Sequence, residues 1–160
     1  MIETDGRMQR VLGALRALGE SPDVLVIEEG THTAEMAAAA AGCALGQIVK
    51  TLVAYVTGAP HLVLVAGDRR LDDRLVAALF GVGRKQVRLA RAEQVLELTG
   101  YPIGGVSPFG TPGQLAVLVD ESLARFATVW IAGGTPSTIL PIALDALVRH
   151  TGGRFAAVAA

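Results

Sequence analysis

Apolar and polar side chains alternate over residues 48–56. Ile48, Lys50, Leu52, Ala54 and Val56 fall on one side of an extended chain, and Val49, Thr51, Val53 and Tyr55 on the other. The pattern predicts a strand with a lysine set among aliphatic residues. The turn "TGAP" and the apolar run "HLVLVAG" follow directly, so the two strands are expected to form a hairpin. Upstream, Met8, Val11, Leu12, Leu15 and Leu18 recur at helical spacing, and Gly19 is a stop signal. "DVLVIEE" reads as a short strand, and "THTAEMAAAAAG" as an alanine-rich helix capped by Thr33 with Glu35 in its first turn.

Downstream, "LDDRLVAALFG" predicts an amphipathic helix starting near Asp72. "RKQVRLA" is a short strand, and "RAEQVLELTG" a helix closed by Gly100. "YPIGGVSPFGTPGQ" has no periodicity and reads as a loop. Strands follow at "LAVLVD", "ATVWIAG" and "STILPI", then a helix over "ALDALVRHTGG" and a short end strand "RFAAVA". Several strand pairs lie too close in sequence for a helical crossover. The fold class is therefore α+β, with a mixed, barrel-like β-sheet flanked by helices, in preference to a doubly wound sheet. No repeat, low-complexity linker or boundary divides the chain, so residues 1–160 read as one domain.

Composition narrows the classes. The chain is 51% hydrophobic with a mean hydropathy of +0.47, which excludes disorder. Apolar runs such as "LVLVA" stop far short of the ~20 residues a membrane span needs. "MIETDGRMQR" has no apolar signal-peptide core, and the expected setting is cytoplasmic, without a membrane partner. Cys43 is the single cysteine, so neither an internal disulfide nor a thiolate metal cluster is available. Its small-residue setting suits a buried position near a helix end better than a catalytic thiol. The net charge of −1 is not the footprint of a protein that coats DNA. Basic residues nevertheless crowd the stretch from Arg69 to Arg91, among them Arg70, Arg84 and Lys85. They form either a solvated face or a small patch that touches phosphates.

Most catalytic signatures are missing. No glycine-rich phosphate loop follows a strand, and His32, His61 and His150 are isolated, so no metal site and no cofactor are expected. "GVSPF" is not a nucleophile elbow, because Phe109 stands where the last glycine would be. Two features remain. An unpaired buried ammonium is costly, so Lys50 must snorkel out, pair with a carboxylate or line a pocket. In "GGVSPFGTPG", Gly104 and Gly105 permit close approach, while Pro108 and Pro112 stiffen the segment. Such a loop is either a tight turn or a rigid set of N–H groups able to hold a carbonyl or oxyanion. "AGGTPSTI" is a second small-residue loop, or a plain turn. Asp120, at the end of "LAVLVD", is placed to pair with Lys50 or to cap the following turn.

Lys50-Thr51 in an apolar strand, the "GGVSP" loop, the later "VD" and the glycine-rich turn together resemble the YbaK family. That family includes aminoacyl-tRNA deacylases related to the editing insertion domain of bacterial prolyl-tRNA synthetases. The resemblance runs from "THTAEMAAAAAG" to "AGGTPSTILPIAL" and implies a compact α+β fold around a mixed, barrel-like sheet. It implies a trans-editing hydrolase that cleaves the ester of a mischarged aminoacyl-tRNA, carrying a small amino acid such as Cys, Ala or Ser on tRNA(Pro). Its partners would be the aminoacyl-tRNA acceptor end and a prolyl-tRNA synthetase. The family's lysine falls on Lys50 and the threonine on Thr51. The GxxxP motif falls on Gly104, Gly105, Val106, Ser107 and Pro108, the late aspartate on Asp120, and the substrate-tuning region on Gly133, Gly134 and Thr135. "AGGTPST" carries no histidine where the synthetase insertion domain and its alanine-specific relatives have one, and no Arg-Gly pair as in the cysteine-specific members. Lys50 and Gly105 are the expected catalytic pair. Lys50 would anchor the terminal phosphate or sugar, and loop N–H groups would stabilise the oxyanion. Water would attack, positioned by backbone groups and the terminal ribose's 2′-hydroxyl. A non-catalytic binding module and a synthetase-associated partner protein are the rival expectations.

Overall fold

The computed structural model describes residues 6–27 and 33–160. Helix α1 (Gly6–Ala17) buries Met8, Val11, Leu12 and Leu15, as the spacing predicts. Leu18 shares that spacing but is 43% exposed. The helix has already ended, and Gly19, at φ 86°, turns the chain outward. Strand β1 keeps only Leu25–Val26 of the expected "DVLVIEE", and Glu28 and Glu29 lie outside the described residues. Helix α2 (Ala34–Ala41) begins as predicted: Thr33 Oγ1 accepts from the Met36 N–H at 3.1 Å, with Glu35 in the first turn.

Strands β2 (Val49–Val56) and β3 (Ala59–Ala66) pair antiparallel, Val56 opposite Ala59. Thr57 and Gly58 join them at φ 49° and 80°. Two consecutive positive φ values match the primed turn that follows the strand twist in a two-residue hairpin. Helix α3 (Asp73–Phe80) is capped by Asp72, and strand β4 (Val87–Leu89) pairs with the end of β2. Helix α4 (Ala92–Thr99) ends at Gly100 in the left-handed conformation. Then come β5 (Ala116–Asp120), β6 (Thr128–Ala132), β7 (Thr138–Ala143), α5 (Leu144–Thr151) and β8 (Arg154–Ala156).

Among the described residues the strands form a five-stranded sheet, β4-β2-β3-β5-β8, and a three-stranded sheet, β1-β7-β6. The larger sheet is mixed: β3 runs antiparallel to β2 and parallel to β5, and β5 parallel to β8. Parallel pairing needs a long crossover, and the segment from α3 through α4 and the glycine-proline loop supplies it. A bridge between Ile48 and Trp130 joins the two sheets at the start of β2. The α+β class with a mixed sheet is thus as expected, although the sheet does not close into a barrel. The alternation read in β2 separates two cores. Val49 and Val53 pack with α1, Val95 and Val106, while Ala54 and Val56 pack with Val76 and Ala77 of α3. Fully burying each larger aliphatic contributes about 1.5–3 kcal/mol, so the register of β2 is firmly fixed.

Candidate active site

The start of β2 runs between two cavities. The first is a cleft of about 410 Å³ walled by Val49, Thr51 and Val53 of β2, Val95 of α4, Ile103, Gly104 and Val106 of the loop, and Ala132 and Pro136 beyond β6. Its walls are mainly aliphatic, and its volume lies at the lower end of the range for small-molecule sites. Thr33, Lys50 and Thr51 are the polar side chains of this lining, and Thr51 Oγ1 is buried with no hydrogen-bond partner among the described residues. Leaving a hydroxyl in that state costs about 1–3 kcal/mol, so an unpartnered one marks a place where something else supplies the partner.

The loop that closes the cleft is held by backbone contacts. Gly104 has φ 90°, and the Gly105 N–H donates to Pro102 O at 2.9 Å. A Cβ on Gly105 would lie 2.7 Å from the Thr135 carbonyl carbon and 2.8 Å from its Cα. Gly105 is therefore glycine because another stretch of backbone occupies its side-chain position. Within the Gly104–Ser107 run expected to supply donors, the Gly105 N–H is already engaged. Among the described residues, the N–H groups of Val106 and Ser107 make no backbone hydrogen bond. Ser107 is fully buried, and its Oγ accepts from the Phe109 N–H at 3.1 Å. Tyr101 donates its hydroxyl to Phe109 O at 2.6 Å and stiffens the same turn. Pro108 lies beside this turn, outside the cleft wall.

The middle of the second small-residue loop supports the first, while Ala132, Pro136 and Ile139 of the same stretch line the cleft. The Gly133 N–H donates to Thr138 O at 2.8 Å, and Thr135 Oγ1 lies 2.8 Å from Thr138 Oγ1. A Cβ on Gly134 would meet Arg7 O of α1 at 2.8 Å. Gly133, Gly134 and Thr135, expected to tune the substrate, are thus packed into the scaffold, and their flanking residues Ala132 and Pro136 face the cleft. Asp120 is also relocated. It is 2% exposed, lines neither cavity, and caps the turn after β5 by accepting from the Ser122 N–H at 3.1 Å. Of the two placements open to it, the cap is realised and pairing with Lys50 is not.

Lys50 lines both cavities. The second, about 490 Å³, is walled by Glu35, Lys50, Asp68, Arg69 and Arg70 together with Ala34, Leu45 and Gly67. The Lys50 ammonium donates to the carbonyl oxygen of Arg69. Burial pushes its pKa below the ordinary lysine value, and the Arg70 charge pushes the same way, while Glu35 and Asp68 partly offset both. Asp68 is gripped by the Arg125 guanidinium at 2.8 and 2.9 Å, which holds its carboxyl below the usual carboxylate range. Arg69 and Arg70 therefore share a cavity with Lys50. Arg84 instead pairs with Asp73 at 3.0 Å, and exposed Lys85 sits beside it on a 3-10 turn. Neither lines a cavity.

Residues the pattern did not single out include Ile103, Ala132 and Pro136 in the cleft and Glu35 and Asp68 in the charged cavity. Ile103, Ala132 and Pro136 lie within loops that sequence did flag, but none was singled out there. Glu35 and Asp68 carried no signal beyond a helix start and a strand end. Cys43 follows the Gly42 helix end and is half-buried, and burial raises its pKa, so it rests as the thiol. His61 packs edge-on against Phe80 at 5.0 Å and His150 lies 3.0 Å from Glu20, while His32 lies outside the described residues. Among the described residues no group of three His, Cys, Asp or Glu could hold a metal ion, and no helix is long and apolar enough to cross a membrane.

The candidate site is therefore a mainly apolar cleft beside a charged cavity, with a backbone-braced loop over the cleft. The family model described as the aminoacyl-tRNA editing domain matches residues 28–150, and the chain belongs to that family. The uncharacterized protein YwhH of Bacillus subtilis (strain 168) is 36% identical over 121 residues, 75% of each chain. The proline--tRNA ligase of Nitratidesulfovibrio vulgaris (strain DP4) is 37% identical over 120 residues, which is 75% of this chain and 20% of that enzyme. The chain thus corresponds to about a fifth of the ligases it matches. Among solved structures, the crystal structure of a "putative trans-editing enzyme for prolyl tRNA synthetase" superposes with a TM-score of 0.89 at 38% identity, covering 96% of this chain and 97% of that one. Hypothetical protein APE2540 gives a TM-score of 0.84 at 36% identity, covering 94% and 99%. The relation to the editing domain of prolyl-tRNA synthetases implied by the sequence therefore holds.

Proposed function

We propose that the chain hydrolyses, in trans, the ester of a small non-cognate amino acid (Cys, Ala or Ser) on tRNA(Pro), in the cytoplasm. The observation that carries the reading is the mainly aliphatic cleft, with Thr51 and Lys50 in its wall, closed by the braced loop. In this reading the aminoacyl group enters the cleft and Thr51 meets its polar end. The N–H of Val106, which lines the cleft, faces the ester carbonyl, where one such donor is typically worth ~3–4 kcal/mol in the transition state. Gly105 keeps the loop in place by its contact with Thr135. The terminal phosphodiester lies in the charged cavity against Lys50, Arg69 and Arg70. Water attacks the carbonyl, the ester C–O bond breaks, and the amino acid and the ribose hydroxyl leave. An aminoacyl ester is already activated, so positioning and charge stabilisation supply the catalysis.

The test incubates the protein with tRNA(Pro) charged separately with Cys, Ala, Ser and Pro and follows the ester. Loss of one non-proline ester is the expected result. Survival of all four, and of threonyl and other tRNA esters in a second panel, would favour a binding module without turnover. A second reading, in which the chain works docked on a prolyl-tRNA synthetase, draws on Leu89 and Ile103, 53% and 58% exposed at the cleft rim. Deacylation that appears only when the synthetase is added would establish it.

A further inference from the structure

Asp120 is the most fully engaged carboxylate of the site region, and its partners lead to the charged cavity by two routes. Its Oδ1 accepts from the N–H groups of Val158 and Ala159, both at 3.0 Å. Its Oδ2 accepts from the N–H and the hydroxyl of Ser122. The C-terminal segment so held pairs with the stretch that leaves β3. Asp72 N–H donates to Val158 O at 2.9 Å, Arg70 and Ala160 exchange both N–H···O bonds at 2.9 Å, and Leu71 bridges to Ala159. By the other route, Ser122 O accepts from Arg125 Nε at 2.6 Å, and Arg125 grips Asp68. Residues 68–72 are thus clamped at both ends from one buried carboxylate. Between the clamps lie the Arg69 carbonyl that receives the Lys50 ammonium and the Arg69 and Arg70 side chains that wall the cavity.

We propose that Asp120 is a positioning residue for the cation set Lys50, Arg69 and Arg70, acting through the C-terminal segment and the Ser122 turn. The proposal rests on the reading of the charged cavity as the seat of the acceptor-end phosphodiester. A carboxylate suits the task because it only accepts, and all four of its donors are N–H or O–H groups. Asparagine would keep an acceptor for Val158 and Ala159 but turn an amide N–H₂ toward the Ser122 donors. Alanine removes both grips.

The test uses the full chain carrying Asp120→Asn, Asp120→Ala or Ala159→Pro, an uncharged tRNA(Pro) acceptor-stem minihelix, and the same minihelix charged with the ester substrate. In Asp120→Ala, amide hydrogen exchange at Arg70 and Asp72 is expected to accelerate at least tenfold while Val63 and Leu64 of β3 keep their protection. The Kd for the uncharged minihelix should rise at least fivefold, and KM should rise by the same factor with kcat within twofold. Asp120→Asn should fall between wild type and alanine. A merely structural role would lower the active fraction, so a reduced kcat at unchanged KM overturns the proposal. If Asp120→Ala does not fold, Ala159→Pro decides, because it removes one donor to Asp120 near the chain end; unchanged Arg70 exchange and an unchanged Kd in that variant overturn the proposal. A wild-type chain that does not bind the minihelix overturns the functional reading itself and this proposal with it. Binding by wild type with the same Kd in Asp120→Ala overturns the positioning role alone.

Discussion

Lys50 and Thr51 are chain neighbours on one strand, yet they face opposite kinds of surroundings. Thr51 points into aliphatic walls, where its hydroxyl has no partner. Lys50 points among Glu35, Asp68, Arg69 and Arg70 and already has a carbonyl acceptor. The contrast separates two tasks that one ligand would impose. In the proposed reading, the cleft side selects by shape. The charged side holds a cation whose protonation burial and Arg70 oppose, with a carbonyl and two nearby carboxylates to keep it charged.

The strongest way to break this division is to disturb the loop on the cleft side. Gly105→Ala would drive a methyl into the Thr135 backbone, which cannot swing aside. Overpacking of this kind costs about 1–3 kcal/mol, and the displaced loop should lower deacylation at least ~100-fold, because a shift of about 1 Å at a reacting centre has that effect. Melting and single-turnover rates on the same sample check both parts.

Lys50→Ala tests the other side. It should raise KM about tenfold or more with a smaller change in kcat, and leave melting near wild type, since a half-buried ammonium contributes little net stability. In the wild-type enzyme, acceptor-end binding should weaken as pH rises through the depressed Lys50 pKa, which lies below 10.5. The stability effect has the opposite direction. Between that depressed value and 10.5 the unfolded chain holds more protons than the folded one, so the Lys50 contribution to folding improves as pH rises. Lys50→Ala should lack both dependences, as binding titrations and denaturant melts over that range would show.

Thr51→Val sharpens the comparison, because it keeps the shape and deletes the orphan hydroxyl. It should stabilise the fold by about 1 kcal/mol, a Tm gain of roughly 2–4 °C for a chain of this size, while deacylation falls about tenfold. A stabilised variant with full activity would remove Thr51 from the site. The smallest effect is expected at Arg84→Ala and Lys85→Ala, which line neither cavity. Each should change kcat/KM by less than about twofold, in line with the small worth of exposed ion pairs, and Arg69→Ala and Arg70→Ala should exceed them.

Local chemistry made much of the fold legible. The alternation in β2, the Thr33 cap and the Gly100 stop are all decided within a few residues and form as read; the hairpin also forms, but its turn is only Thr57-Gly58, and Ala59 and Pro60, read as turn, belong to β3. Leu18 misled because helical spacing continued one residue past Ala17, where the helix ends. The long-range contacts could not be read. Lys50 finds its acceptor 19 residues away, and Asp120 binds donors 38 and 39 residues on. Sequence marked Gly104, Gly105 and Lys50 as unusual, but it could not say that Gly105 faces the Thr135 backbone. Nor could it say that Gly133 to Thr135 brace the site while Ala132 and Pro136 line it. Those distinctions arise where two loops meet, and no window along either loop contains the meeting.

That meeting also governs how the protein can change. Because Gly105 abuts backbone and not a side chain, no compensating substitution at position 135 can make room for a larger residue there. The loop geometry is inherited as a block. The cleft walls are not so bound: Ile103, Ala132 and Pro136 contribute side chains whose size can vary one position at a time. The shape of the cleft can therefore drift through single replacements at the walls, while the backbone of the loop that closes it stays constant.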